Sequence, residues 1–122
     1  MFLAIDIGNT NVTCGLYHNE EWIHTMQIST SSDDWEKLSS LKKYSIKSVG
    51  ISSVVPKITN IYKETITNIF HLTPFEINYK NAGIVLNVDT PGEVGADRIC
   101  NSVAVNHLFG SPAIIGDIGS AT

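Results

Sequence analysis

The chain opens on an apolar run, Met1-Phe2-Leu3-Ala4-Ile5, which delivers a carboxylate at Asp6 and then turns through Gly8 and Asn9. Apolar alternation resumes at Val12, Cys14 and Leu16. Alternation on both sides of a short polar turn predicts two strands of a hairpin. Gly and Asn both tolerate positive φ, so the turn is expected to be cheap there. A tight turn between strands gathers backbone N–H groups and hydroxyls into a small concavity that suits phosphate oxygens. A carboxylate beside it suits Mg²⁺, a hard cation that takes oxygen ligands and shares them with phosphates. An ordinary hairpin with a polar turn would have the same pattern.

The rest of the chain extends this start into a mixed α/β domain. Residues 1–7, 11–18 and 21–29 read as successive strands, the last with Trp22, His24, Met26 and Ile28 alternating, and Asn19-Glu20 as a short connection. A polar linker, Ser29 to Asp34, can cap a helix over 33–43, where Trp35, Leu38 and Leu41 recur at helical spacing. Residues 48–55 are small and β-branched and read as a buried strand. Pro56 suits a first helical turn, and Ile58, Ile61, Tyr62, Ile66, Ile69 and Phe70 mark a helix over 57–70. A short strand near 75–77, a loop over 81–94 with one extended piece at 84–86, and a helix from about Val94 to Leu108 follow. Gly110-Ser111-Pro112 breaks that helix, and a last strand is expected from Ala113.

Composition removes several function classes. The 122 residues suit one domain, with 43% hydrophobic content, 16% charged content and a net charge of −4. Without a cluster of Lys or Arg, binding to nucleic acid through its phosphates is not expected. No apolar run approaches the ~20 residues of a membrane span, and the N-terminus lacks a basic n-region, so the expected location is the cytoplasm. Cys14 and Cys100 form no metal or redox pattern and read as small buried hydrophobes. His18, His24, His71 and His107 are scattered and read as surface or strand-end residues.

A second segment repeats the first. In Ala113-Ile114-Ile115-Gly116-Asp117-Ile118-Gly119-Ser120-Ala121-Thr122, an apolar run again leads to Asp-Ile-Gly and then hydroxyls. Between the two lies Pro91-Gly92-Glu93-Val94-Gly95-Ala96-Asp97-Arg98. The paired Asp-Ile-Gly loops resemble those of the actin, hexokinase and heat-shock ATPase superfamily. The order D-x-G-N-T, G-A-D-R, D-x-G-[ST]-A-T resembles the type III pantothenate kinases, a family that includes the Bvg accessory factors, and covers the whole chain.

That resemblance implies a ribonuclease H-like (actin-like ATPase) domain, with element order β-β-β-α-β-α-β-α and a mixed sheet flanked by helices. It places this domain at residues 1–112 and reads 113–122 as the first strand and phosphate loop of a second domain. On this reading the chain is a fragment or a truncated product, expected to be inactive alone. The implied activity is ATP-dependent phosphorylation of pantothenate to 4'-phosphopantothenate, the first step of coenzyme A biosynthesis. The implied partners are ATP, Mg²⁺, a monovalent cation (K⁺ or NH₄⁺), pantothenate and a second copy of the chain in a homodimer.

By the same resemblance, Asp6, Ile7, Gly8, Asn9, Thr10, Asn11, Val12 and Thr13 form the first ATP-binding segment, with Asp6 reaching Mg²⁺ via the phosphates. Asp97 is the general base. Arg98 suits the pantothenate carboxylate, since its planar fork matches a carboxylate. Gly95 and Ala96 leave room for substrate. Asp117 is associated with the monovalent cation, and the hydroxyl of Ser120, where the family usually has Thr, touches ATP. Val88 stands where many members carry a substrate-contacting Tyr. The blander alternative for Asp97-Arg98 is a solvated pair at a helix start. A regulatory or binding protein of the Bvg accessory type is the alternative for the whole chain, although such a protein need not keep a base and metal ligands together.

Overall fold

The alternation at the start of the chain becomes three antiparallel strands in the computed structural model, which describes residues 1–119. These are β1 (Phe2–Ile7), β2 (Asn11–His18) and β3 (Glu21–Ser29). Two more strands, β4 (Ser48–Ser53) and β5 (Phe75–Glu76), complete a sheet of order β3-β2-β1-β4-β5. β1 pairs antiparallel with β2 and parallel with β4, so it is the strand where the two pairing modes meet. The helices α1 (Pro56–Phe70) and α2 (Ala96–Phe109) and two 3₁₀ segments, Asp34–Lys43 and Pro91–Glu93, flank the sheet.

Register sorts the residues onto two faces. Leu3, Ile5 and Ile7 lie opposite Leu16, Cys14 and Val12 on one side, and Leu3 and Ile5 lie opposite Val49 and Ile51 on the other. All of these are buried, together with Ile28, Leu38 and Leu41, and with Tyr62 and Ile66 of α1. This single apolar layer between the sheet and its covering helices is the core. Phe2, Ala4 and Asp6 face the other way, in line with Tyr17, Gly15 and Thr13 of β2 and with Ser48, Gly50 and Ser52 of β4. That second face is open along most of its length.

Six features differ from the sequence reading. The helix over 33–43 is a 3₁₀ segment. Its apolar residues Trp35, Leu38 and Leu41 are spaced by three and three, which stacks them in one row when there are 3.0 residues per turn. Ser39 and Ser40 support it by donating to the carbonyls of Glu36 and Lys37, both at 2.8 Å. The strand over 48–55 ends at Ser53, where Ser53 Oγ accepts from the Val55 amide (3.1 Å) and leads directly into Pro56 at the start of α1. The piece 84–86 joins no ladder, and Val85 is fully in solvent. The residues 113–119 form no strand, because no described strand pairs with them. Trp22 leaves the alternation of β3: a register shift between Leu16 and Tyr17 pairs it with Tyr17 and lays its ring over Gly15 on the open face. α2 also starts later than expected, at Ala96, after the short 3₁₀ turn.

Candidate functional site

The open face leads to the site. Ala4 sits between Gly15 and Gly50 in register, so the middle of this face has almost no side-chain bulk. The rings of Trp22 and Phe2 lie over the two glycines, where an added Cβ would meet them at 2.6 and 2.8 Å respectively. The result is a groove of about 910 Å³ floored by the sheet and closed at one end by α2. At that end Asp6, Thr13 and Ser52 from three adjacent strands meet Asp97, Cys100 and Asn101 from α2, with Asp117 beside them.

The turn after β1 is held from both ends. The Gly8 amide donates to the Asn11 carbonyl at 2.9 Å. The Thr30 hydroxyl donates to the Gly8 carbonyl at 2.8 Å, and the Thr30 amide donates to the Thr10 carbonyl at 3.0 Å. Neither Gly8 nor Asn9 adopts positive φ, contrary to expectation. Glycine is needed at position 8 for closeness instead, since a Cβ there would lie 3.1 Å from the Asn11 carbonyl oxygen. Positive φ falls on Asn19 and Glu20 in the β2–β3 hairpin, the pair that a two-residue primed turn demands. Within residues 6–13, Asp6 and Thr13 face each other across the ladder on the groove side, whereas Ile7 and Val12 are buried in the core. Any contact Ile7 and Val12 make with a phosphate is therefore through backbone.

Asp97 occupies the first turn of α2, and its Oδ1 accepts from the Arg98 amide at 2.9 Å. A helix start favours a negative charge there. Gly95 is the N-cap residue, and a Cβ on it would meet Asp97 Oδ1 at 2.6 Å. The space that Gly95 leaves thus holds the Asp97 carboxylate itself. Arg98 is exposed and takes part in neither salt bridge among the described residues, Lys37–Asp34 and Lys63–Glu76. With Asn101, Ser102, Ile115 and Asp117 it borders a second cavity of about 360 Å³. The Asn101 side-chain amide donates to Asp117 Oδ2 at 3.5 Å. Ser120 lies outside the described residues.

Asp6 senses its neighbours. Burial pushes the Asp6 carboxyl above its ordinary value of 3.8, and the charges of Asp97 and Asp117 add to that, while Ser52 pulls it down. Cys100 is half-buried, and burial raises its thiol as well, so it is not a poised nucleophile. Cys14 is a core residue with its thiol pushed up to about 12 by burial, in line with a small hydrophobe. The four histidines are exposed. Ser52, Cys100 and Asn101 were absent from the sequence reading of the site. Cys100 and Asn101 stand three and four residues after Asp97, so helical spacing alone could have found them. Ser52 needed the β1–β4 register.

Among the described residues, no three His, Cys, Asp or Glu side chains lie close enough to cage a metal ion. One or two carboxylates with hydroxyls nearby instead fit the usual Mg²⁺ arrangement, in which phosphates and water complete the shell. The mutual repulsion of Asp6, Asp97 and Asp117 favours a cation at this end of the groove.

The family model described as type III pantothenate kinase matches residues 2–122. The chain is 37% identical to the type III pantothenate kinase of Halalkalibacterium halodurans, with all of this chain and 53% of the relative covered. The corresponding enzymes of Thermomicrobium roseum and Geobacillus kaustophilus are 36% and 37% identical, each covered over 52% of its length. The chain therefore spans about half the length of the curated relatives it matches.

Proposed function

The chain belongs to the type III pantothenate kinase family, and from that premise we propose that its groove serves ATP-dependent phosphorylation of pantothenate at the primary hydroxyl. The fold is then the ribonuclease H-like domain of the actin-like ATPases. The observation that carries the reading is the meeting of Asp6, at the end of β1, with Asp97, at the start of α2, over one groove. Phosphoryl transfer asks a protein to clamp phosphates, neutralise their charge and aim the acceptor hydroxyl. The turn of residues 8–11 offers backbone and side-chain donors to the phosphates, and Thr13 stands beside Asp6. Mg²⁺ would supply charge neutralisation next to Asp6. Asp97 orients the acceptor hydroxyl and takes its proton. Arg98, unpaired and exposed, is free to hold the pantothenate carboxylate. Asp117, with the Asn101 amide beside it, offers oxygen to a monovalent cation. The cytoplasm and a homodimer complete the proposal.

Ligand-induced amide shifts test this on the chain as it is. Mg²⁺ with ATP is expected to move resonances of residues 6–13, and pantothenate those of residues 95–98 and 101. Asp97→Asn is expected to leave both sets in place while lowering phosphopantothenate formation by about 10²–10⁴-fold wherever the family activity is reconstituted. Shifts confined to the shallow pocket of Lys63, Thr67 and Pro74, or near-normal turnover of Asp97→Asn, would sink the assignment.

A further inference from the structure

β4 carries two hydroxyls side by side, and the fold treats them differently. Ser53 is fully engaged. Its Oγ lies 2.7 Å from Thr59 Oγ1 and accepts from the Val55 amide, so it ties the end of the strand to the first turn of α1. Ser52 faces the groove. Its Oγ is sealed from solvent and, among the described residues, is the buried side-chain polar atom without a hydrogen bond. A sealed hydroxyl without a partner is unfavourable and calls for an explanation.

The surroundings supply one. The residue beside Ser52 in the parallel ladder is Asp6, and both line the groove under Cys100 and Asp97. A thiol accepts hydrogen bonds weakly, whereas a carboxylate accepts strongly. Ser52 is also too enclosed to touch a ligand itself. We propose that Ser52 is a positioning residue, whose hydroxyl donates to the Asp6 carboxylate and holds it in the rotamer that faces the phosphate turn. The bond closes through a small rotation of the Asp6 side chain, with no ligand required. The purpose of this device rests on the phosphoryl-transfer reading, but its existence does not.

Two measurements test it. Three-bond couplings about Cα–Cβ of Asp6, recorded on the chain without ligand, are expected to show one rotamer in the wild type and in Ser52→Thr. Rotamer averaging is expected in Ser52→Ala. Ser52→Cys keeps the bulk and loses the strong donor, so it should average too, which covers the case of an unfolded Ser52→Ala. One unchanged rotamer in both, or averaging already in the wild type, would overturn the proposal. Affinity for ADP is expected to fall about tenfold in Ser52→Cys with Mg²⁺ present, the scale of losing a partner that orients a metal ligand. It should be unchanged in EDTA, and an equal loss in both conditions would reduce Ser52 to a packing residue. If the wild type binds no nucleotide, the phosphate-site reading of this chain on its own fails, and the coupling measurement still decides the role of Ser52.

Discussion

Asp6 is a solvent-accessible carboxylate whose protonated form the fold nevertheless favours somewhat. Burial and two neighbouring carboxylates raise its carboxyl above the ordinary 3.8. For an acid so shifted, the folded state binds the proton more tightly than the unfolded state. The stability linked to that proton is complete below pH 3.8 and is lost as pH rises through the folded value. Asp6→Asn is therefore expected to raise resistance to urea at neutral pH, with the gain vanishing in acid. A variant less stable than wild type at neutral pH would mean that Asp6 contributes structurally. The carboxylates themselves were legible in the sequence, because each stands in a short motif with glycine and hydroxyls. Ser52 was not, because its importance depends on which residue lies beside it in another strand, and pairing partners are not written locally. Gly95 was legible as a residue that leaves space, but only the folded arrangement puts the Asp97 carboxylate in that space.

At the scale of elements, β1, β2 and α1 follow the sequence closely because their apolar residues keep one period throughout. The 3₁₀ segment was misread as α-helix although its signal was present: a spacing of three without any fourth-residue step. Leu38 in that segment is fully buried against the sheet and α1. Leu38→Ala is expected to cost about 2–5 kcal/mol in urea unfolding. Leu108, 68% exposed near the end of α2, should tolerate the same change within about 0.5 kcal/mol. A small loss at Leu38 would mean that the segment is a loosely attached cover and not part of the core. The strand expected from Ala113 had the right composition, but a strand exists only through its partners. Ile114 and Ile118 accordingly stand in solvent.

Across the described residues, a sealed core coexists with large apolar residues left exposed in several places. Leu108, Phe109, Ile114 and Ile118 follow one another along the end of α2 and the segment beyond, and Trp22 and Phe75 stand open on the groove face. Exposed apolar surface of this kind favours association. The chain is expected to self-associate, and sedimentation over a range of concentrations checks it: a monomer at high concentration would remove the case for a homodimer of this chain. Among the described residues, no helix is long and apolar enough to cross a membrane.

The position of β1 has one more consequence. It is bonded on both sides along its whole length, whereas α2 rests mainly on β4. Resistance to local opening rises with such enclosure. The amides around Asp6 therefore belong to the slowest-exchanging part of the chain and those around Asp97 to a faster one. The β1 side of the groove behaves as an anvil, and the α2 side can adjust against it.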